Sequence, residues 1–469
     1  MPRGPRAAFL LLPTLLGCQM AVRSAKPAPL DQEGEVWVYL APVPQQLERL
    51  EFAVSSVGLG RGDGAAVPLR LVLPEVSGKR ASRERLLAVG RVPPGAYAAL
   101  TVQIGKASVT GGEGKADLLA PAEPVRVPLP MNVARGRAVV VSLALQPASS
   151  VQKGFGFTPA FTAQVPELPL AERLGFASDT GSDAVTVFDR RTRRVAAVIP
   201  TGRDPRGIAL DPRLGRLYVA LSGEDQVAAF DLQTGAEVGR IRLQPGDEPL
   251  EVAATPDGRL LVTVNRRSST ASFLDPQSLV EVDRAPTGLQ PSSLLVDRSG
   301  RRAYAFNRGS SSVTVLDLAT RKAVASFPTE PEPLRGALSR AGDRLYVASA
   351  LSPYLASYAV PALTPLKRTY VGPGASALLV DTRTDYLYLA KGQERRIQIY
   401  EPAAFLAIAE LPAEGGVTWM SIDGLENLLL AVVPETGSVG AYELNARRAL
   451  PGVDVGTEPY AAAVVGERN

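Results

Sequence analysis

The chain of 469 residues contains no histidine and a single cysteine, Cys18. The absence of histidine excludes Ser-His-Asp triads, Cys-His pairs and zinc sites that depend on imidazole. It also excludes haem attachment through a C-x-x-C-H motif, and a single cysteine excludes an intramolecular disulfide. Any enzymatic chemistry would therefore depend on carboxylates, on a Ser-Lys pair, or on a hard cation held by oxygen atoms.

The chain also has little net charge for its length. Its 51 basic and 47 acidic residues leave a formal charge of +4. This small excess is not the signature of a nucleic-acid-binding protein, so we expect no nucleic-acid partner. A chain of this length is expected to form more than one domain.

The N-terminus has the layout of an export signal. Arg3 and Arg6 precede an apolar run at residues 7–16, which is too short to span a bilayer. The sequence Leu15-Leu16-Gly17-Cys18 ends this segment and resembles a bacterial lipobox. The alternative is a plain signal peptide with an incidental cysteine.

The lipobox resemblance implies that residues 1–17 are removed and that Cys18 is lipidated. Several acyl chains would anchor the protein stably, because each buried methylene contributes about 0.8 kcal/mol. Gln19 stands where an aspartate would favour inner-membrane retention, so the resemblance implies an exported bacterial lipoprotein of the outer membrane. Residues 18–34 include the lipidated cysteine and are interpreted as a flexible tether.

A repeat of about 42 residues runs from about residue 173 to the C-terminus. Each unit passes from the end of an apolar strand into an acidic residue or its replacement. The series is Asp189, Asp231, Asp275, Asp317, Ala359, Glu401 and Glu443. Seven units of this length predict a closed propeller or a solenoid.

Each unit contains four short apolar runs separated by turn residues, which fits one propeller blade. The first unit begins at what would be a blade's second strand, residues 174–178, and the chain ends on an isolated first strand, residues 459–465. An open ring would leave unpaired backbone groups at both ends. We therefore predict seven blades, with the C-terminal strand completing the N-terminal blade.

Several of these runs resemble the YVTN family of seven-bladed propellers. They are Arg216-Leu217-Tyr218-Val219, Arg344-Leu345-Tyr346-Val347, Tyr386-Leu387-Tyr388-Leu389, Thr255-Pro256-Asp257-Gly258-Arg259 and Asp317-Leu318-Ala319-Thr320. The resemblance covers residues 173–469. It implies a propeller of a family of secreted binding and surface proteins with few assigned ligands, so the fold does not specify a function.

Residues 35–165 predict a second β-rich domain, and residues 166–172 a short stiff connector. Candidate strands are residues 36–40, 51–59, 67–73, 98–109, 125–129, 137–145 and 160–165. About seven strands in this length favour a β-sandwich. Residues 51–59, 92–100 and 150–159 resemble the DUF4382 family of exported bacterial β-domains, which implies a role in surface or carbohydrate binding.

This second domain also contains a run of basic residues. The run comprises Lys79, Arg80, Arg83, Arg85 and Arg91. We interpret it as a solvated loop. A polyanion site close to a membrane is the alternative.

Acidic and amide side chains stand immediately before the predicted first strand of most blades. The series is Asp204, Glu248, Gln290, Glu332, Gly374, Gly416 and Glu458. These turns would surround the mouth of the central channel, where four carboxylates and an amide could hold a cation or a basic ligand. The alternative is a set of solvated turn residues, because a repeated sequence repeats its acids without forming a site.

Basic side chains are predicted at the same face. The set is Arg206, Arg266, Arg267, Arg308, Arg335, Lys391, Arg395 and Arg396. They would form a basic rim for an anionic polysaccharide or lipid headgroup, or they would pair with the acids of the channel mouth. Trp419 is predicted to pack between blades, with ligand stacking at the channel as the alternative.

Together these patterns predict an all-β protein in which a β-sandwich precedes a seven-bladed propeller. We expect a lipid-anchored, non-enzymatic binding or scaffold protein of the cell envelope, whose partner is an envelope protein or a polysaccharide. No cofactor is expected, unless a cation occupies the channel mouth. The alternative is a cation-dependent hydrolase of the lactonase or glycosidase type. The lack of histidine and the glycines at 374 and 416 count against it.

Overall fold

The computed structural model describes residues 30, 32–61, 66–78, 82–111, 114–152 and 156–468. Cys18 and the predicted signal peptide lie outside the described residues. In the described ranges, no helix has the length and hydropathy needed to cross a bilayer. The described chain is almost entirely β and forms an N-terminal domain followed by a propeller.

Seven four-stranded antiparallel sheets form the propeller, as predicted. Blade 1 combines Leu174–Asp179, Ala184–Asp189 and Arg194–Pro200 with the C-terminal strand Pro459–Val464. The other blades are given with the inner strand first. Blade 2 is Pro205–Asp211, Arg216–Leu221, Gln226–Asp231 and Glu237–Arg242; blade 3 is Pro249–Ala254, Leu261–Asn265, Thr270–Asp275 and Val280–Pro286; blade 4 is Pro291–Val296, Arg302–Asn307, Ser312–Asp317 and Lys322–Pro328. Blade 5 is Pro333–Leu338, Arg344–Ser349, Tyr354–Ala359 and Pro365–Tyr370; blade 6 is Ala375–Val380, Leu387–Lys391, Arg396–Glu401 and Leu406–Pro412; blade 7 is Trp419–Asp423, Leu428–Val433, Ser438–Glu443 and Arg448–Asp454. Short 3-10 turns lie at Ala171–Arg173 and Pro434–Thr436.

The C-terminal strand closes the ring, which confirms the predicted closure. Pro459–Val464 pairs antiparallel with Leu174–Asp179, with Phe176 opposite Ala463 and Ala177 opposite Ala462. The inner strands of neighbouring blades contact one another around a complete circle, including the contacts of the closing strand with blades 2 and 7. Ordinary ladder hydrogen bonds therefore satisfy the backbone groups that an open ring would leave unpaired.

The repeated acidic residue at the end of the third strand caps the turn that follows in five of the blades. Asp231 Oδ1 accepts hydrogen bonds from the backbone amides of Gln233 at 3.1 Å and Thr234 at 2.7 Å. Hydrogen bonds from the Thr234 hydroxyl and these amides lower the pKa of Asp231. Asp189, Asp275, Asp317 and Glu401 cap the equivalent turns. The most regular feature of the sequence is thus a turn signal and not a site.

The N-terminal domain is one ten-stranded sheet that curls on itself, with a separate short hairpin. The main order is Ala160–Gln164, Ala138–Gln146, Gly34–Leu40, Arg85–Val92, Ala66–Leu71, Leu50–Gly60, Gly95–Gly111 and Gly114–Leu118; Glu75–Ser77 pairs with Leu50–Gly60, and Val125–Val133 pairs with Gly95–Gly111. The hairpin is Val151–Gln152 with Gly156–Phe157, and the helical turns are Pro147–Ser150 and Gln45–Leu47.

The two halves of this curled sheet enclose one apolar core, which is consistent with the predicted sandwich. Val38 and Leu87 from one half lie in the same buried cluster as Val54 and Leu100 from the other. The halves are continuous through Ala66–Leu71, which pairs with a strand on each side. Curling of a single sheet therefore builds the two layers.

The interpretation of the basic run as a solvated loop is wrong for the part that the structure describes. Arg85 begins a strand in the middle of the sheet, Arg85–Val92. Arg83 and Arg85 place their Nε atoms 2.9 and 2.7 Å from the carboxylate of Asp454 in blade 7. These two arginines thus belong to the contact between the domains.

The N-terminal domain packs against the outer wall of the propeller at blades 1 and 7. Trp37 and Tyr39 lie in one apolar cluster with Val198 of blade 1 and Val453 of blade 7. As a result the outer strand of blade 1, Arg194–Pro200, is mostly buried. In blade 5, which the N-terminal domain does not cover, the equivalent strand is mostly exposed.

A buried carboxylate completes this contact. Glu84 is 2% exposed, and its Oε2 accepts a hydrogen bond from the backbone amide of Val195 at 2.7 Å. Burial raises the pKa of Glu84, while this hydrogen bond and the charge of Arg194 act in the opposite direction. The carboxylate therefore joins the N-terminal domain to the outer strand of blade 1.

Candidate functional site

The turn before the inner strand has the same backbone conformation in most blades. Asp204, Glu248, Gln290 and Glu332 have φ between 52° and 57°, and Gly374 occupies the same position with φ of 84°. Residues with a Cβ atom rarely adopt this left-handed region, so the turn imposes it. The alternation of acids with glycine shows that the position has a structural role, whatever its side chain binds.

Backbone and side-chain hydrogen bonds hold these turns in place. The carbonyl of Glu248 accepts from the amide of Arg266 at 3.1 Å, and that of Gln290 accepts from the amide of Arg308 at 3.0 Å. The amide of Glu248 in turn donates to Asp225 Oδ1 at 2.8 Å. Asp183 and Asp179 accept equivalent bonds from Asp204 and Glu458. Sequence reasoning missed these acids: Asp183 and Asp225 lie between the second and third strands, and Asp179 ends the second strand of blade 1.

The channel-mouth acids pair with the rim arginines, which was one of the two arrangements considered. Glu248 lies 2.6 Å from Arg266 and 3.5 Å from Arg267. Glu332 lies 2.6 Å from Arg308. Such exposed pairs contribute about 0–1 kcal/mol each, so they are weak stabilising contacts.

The remaining mouth acids also have partners close by. Asp204 lies 3.3 Å from Arg206, and the carboxylate of Glu458 accepts from the Thr180 hydroxyl at 3.3 Å. In the part of the chain that the structure describes, no three acidic or cysteine side chains come close enough together to hold a metal ion. The mouth therefore resembles a ring of separate ion pairs more than a cation cage.

Three of the predicted rim residues lie on strands. Lys391 is only 7% exposed and pairs with Glu394 at 3.0 Å, because it ends the second strand of blade 6 instead of extending from a loop. Arg206 and Arg335 lie on the inner strands of blades 2 and 5.

The last two rim residues lie in blade 6. Arg396 pairs with Glu394 at 2.8 Å and with Glu410 at 3.1 Å. The carbonyl of Arg395 accepts from the amide of Ala413 at 2.8 Å. Arg396 is therefore charge-paired like the acids of the mouth, whereas the bond of Arg395 is made by its backbone.

Arg206 and Arg335 belong to a series of stacked side chains. The Arg335 guanidinium lies 4.0 Å from the centroid of the Trp419 ring. The rings of Trp419 and Tyr460 are 6.4 Å apart, and the Arg206 guanidinium lies 5.2 Å from the Tyr460 ring. These four residues, which we call the channel ladder, come from blades 5, 7, 1 and 2. Blades 5 and 7 are not neighbours, so Arg335 and Trp419 can meet only inside the ring.

A buried ion pair holds one end of the channel ladder. Glu251 of blade 3 places Oε1 2.5 Å from Arg335 Nη2, and its Oε2 accepts from the amide of Leu294 in blade 4 at 2.9 Å. Burial raises the pKa of Glu251, while Arg335 and this amide oppose the shift. Sequence reasoning missed Glu251, although Glu251, Arg335 and Trp419 occupy the same position of their inner strands. The other blades hold small residues at this position, namely Gly207, Ser293, Ala377 and Ala461, so the large polar and aromatic residues were an available signal.

The closing segment adds two titratable groups. Burial raises the pKa of Tyr460 to about 12, with a further contribution from the charge of Glu251. Burial also raises the pKa of Glu467 to about 8. The backbone of Glu467 forms an isolated antiparallel β-bridge with that of Asp423, the last residue of the inner strand of blade 7. Glu467 therefore lies at the opposite end of the inner strands from the mouth. Of these two groups, only Tyr460 belongs to the channel ladder.

Comparisons with known proteins support the fold alone. No family model matches the chain, and no curated protein matches it. The YVTN and DUF4382 resemblances therefore stay predictions. Solved structures that resemble the chain include a functionally unknown protein from Desulfotomaculum acetoxidans DSM 771, which is 12% identical with a TM-score of 0.54 over 62% of this chain and 98% of that one.

Two further solved structures resemble the chain at similar distance. The dihydro-heme d1 dehydrogenase NirN in complex with DHE is 14% identical, with a TM-score of 0.51 over 64% of this chain and 78% of that one. The Kuenenia stuttgartiensis hydrazine synthase is 16% identical, with a TM-score of 0.49 over 61% and 94%. At these identities the activities of the neighbours do not extend to this chain.

Proposed function

We propose that the chain is an exported lipoprotein of the bacterial outer membrane whose propeller serves as a non-enzymatic binding module of the cell envelope. Two sequence features support the proposed cellular location: the export signal with Arg3 and Arg6, and the lipobox-like sequence ending at Cys18. The polar segment up to residue 34 would act as a tether between the lipid and the folded domains. A rigid disc held near a membrane in this way is suited to binding an envelope partner.

The channel ladder is the observation that carries the binding proposal. Arg206 and Arg335 present planar guanidinium groups with five N–H donors each, more than Glu251 and Asp204 occupy. Guanidinium groups recognise carboxylates in a bidentate manner, and aromatic rings stack on the flat faces of ligands. The ligand class that fits this combination is an acidic polysaccharide or an acidic segment of an envelope protein.

The mouth geometry disfavours the alternative of a cation-dependent hydrolase. Glu248 and Glu332 each face an arginine, and glycines replace the acid at positions 374 and 416. A hard cation prefers six to eight oxygen ligands, several of them carboxylates that are not already neutralised. Binding without turnover is therefore the better supported of the two functions.

The two tryptophans of the chain allow a direct test of ligand binding. Trp37 lies between the domains and Trp419 lies in the channel ladder. In a Trp37→Phe variant, Trp419 is the only indole emitter. We expect polygalacturonate, an acidic polysaccharide, to change its emission and protect it from acrylamide, while neutral dextran has no effect.

A matched pair of arginine variants completes this test. Arg206→Gln should weaken polygalacturonate binding, whereas Arg395→Gln, which removes the same charge from the rim, should not. Equal binding of both polymers, or equal loss in both variants, would contradict a ligand site at the channel ladder. Melting temperatures of both variants establish that they remain folded.

The lipid anchor is tested separately. Expression of the full chain and of a Cys18→Ala variant should yield the former in the membrane fraction and the latter outside it. Mass spectrometry of the N-terminal peptide should show acyl chains on residue 18 of the parent. A parent chain without acyl mass would overturn the proposed anchor and leave the binding proposal standing.

A further inference from the structure

A cavity of about 330 Å³ lies where the N-terminal domain, the connector and blades 1 and 2 meet. The propeller contributes Val187, Val198 and the turn at residues 232–235 to its walls. The connector contributes Leu168, and the N-terminal domain contributes Arg137. No residue of the channel ladder or the channel mouth takes part, so this is a second and independent place for a ligand.

The walls of the cavity are mainly apolar. Val187 and Val198 are almost completely buried within blade 1. Leu168 is 42% exposed, which leaves an apolar side chain of the connector beside the opening. The accessible apolar wall is formed by Leu168 with the half-buried Ala197 and Pro200, and an apolar ligand body would be stabilised by contact with these side chains.

Arg137 is the one cationic side chain of the cavity wall. Its Nη1 donates a long hydrogen bond, 3.5 Å, to the carbonyl of Gly235, and it forms no ion pair with any residue that the structure describes. The amides of Gln233 and Thr234 in the facing turn already donate to Asp231. Arg137 therefore provides the free donors with which an anion could bind.

We propose that this cavity binds a small amphipathic carboxylate, with its apolar body against Leu168, Ala197 and Pro200 and its carboxylate at Arg137. At the packing density of a protein interior, the volume accommodates an apolar body of roughly ten carbon atoms. Because walls come from both domains, the bound molecule also strengthens the contact between them.

Isothermal titration of the purified chain with decanoate tests the proposal. Decyltrimethylammonium, which has the same tail and the opposite charge, is the ligand control. We expect decanoate to bind and the cation not to bind. Arg137→Gln should weaken decanoate binding roughly two- to fivefold, because the ion pair of an exposed arginine with the carboxylate is lost. Arg135→Gln removes the same charge from the same turn and should leave binding unchanged.

Two further variants test the apolar walls. Ala197→Phe should fill the cavity, since Ala197 also lines it, and should abolish binding. Leu168→Asp places a negative charge at the opening on an exposed connector, and should abolish decanoate binding without affecting the fold. Absence of decanoate binding at millimolar concentration, equal effects of the two arginine variants, or binding that survives Leu168→Asp would each overturn the proposal.

Discussion

Replacing Asp454 with asparagine should loosen the contact between the N-terminal domain and the propeller. The Asp454 carboxylate lies 2.7 Å from Arg85 Nε and 2.9 Å from Arg83 Nε, and it accepts the backbone amide of Leu86 at 3.3 Å. Its side chain is 9% exposed. Asparagine keeps the shape but removes the charge that compensates both guanidinium groups.

The loss of interdomain stability depends on the contacts that Arg83 and Arg85 keep when the Asp454 charge is removed. Breaking a buried ion pair by removing one partner costs about 3–5 kcal/mol. Arg83 still has Glu414 at 2.5 Å, and Arg85 is 29% exposed and can be hydrated. We therefore expect Asp454→Asn to weaken the interdomain contact by about 2–3 kcal/mol, which is below that range because both arginines keep a partner or contact with water. This corresponds to roughly a 30- to 150-fold change in the equilibrium between separated and docked domains.

The assay uses Trp37, which is 2% exposed in this contact. In a Trp419→Phe background, separation of the domains should shift the Trp37 emission to the red at lower urea concentration in Asp454→Asn. The control is Glu443→Gln in the same blade, whose carboxylate pairs at 3.1 Å with the exposed Arg448. That exposed ion pair should contribute about 0–1 kcal/mol to stability. If both variants shift the urea midpoint equally, the reasoning about buried charge is wrong.

Three further predictions concern the ring and its titration. Deleting residues 459–469 removes the inner strand of blade 1 and should lower the melting temperature strongly; calorimetry showing an unchanged melting temperature would contradict the closure. Glu332 has φ of 54°, so Glu332→Gly should be nearly neutral, whereas Glu332→Val should cost about 1–2 kcal/mol, and equal urea midpoints would contradict the turn role. Burial raises the pKa of Glu467 to about 8, above its value in the unfolded chain, so its contribution to stability is complete below about pH 4.5 and is lost as the pH rises through 8. Glu467→Gln should therefore reduce the loss of stability between pH 5 and 9, and a parent and variant with parallel urea midpoints across that range would count against it.

The propeller could be predicted because its signals are local and repeated. Asp231 and its equivalents cap their turns through amides two and three residues away, so the cap is visible in the sequence itself. The missing first strand at residue 174 and the spare strand at residue 459 indicated the closure in the same way, because unpaired strands require partners.

The N-terminal domain was predicted less well. Arg85–Val92 was missed as a strand because a basic run precedes it, and charged residues favour an exposed loop. In the structure the charge of Arg85 is compensated by Asp454, which is more than 360 residues away in the chain. Pairing of a charge with a residue so far away in the chain leaves no pattern in the sequence around Arg85.

In the candidate site, too, some features could be predicted from the sequence and others only from the structure. The sequence placed Glu248 and Arg266 at one face, and the structure shows that they pair with each other. The contact of Arg335 with Trp419 and with Glu251 joins blades that are not neighbours. The repeat places Glu251, Arg335 and Trp419 at the same position of their inner strands, but these three side chains meet only after the ring has closed.

By itself, the sequence determined the β-architecture, the number of blades and the strand that closes the ring. Those features depend on apolar alternation, on turn residues and on backbone pairing, all of which act over short distances or repeat with a regular period. Only the tertiary structure decided that the arginines of the inner strands stack on Trp419 and Tyr460, that Lys391 is buried, and that a cavity forms beside Arg137. The physical reason is that burial and charge pairing depend on which distant side chains share a space, and that is set by closure of the ring and docking of the two domains.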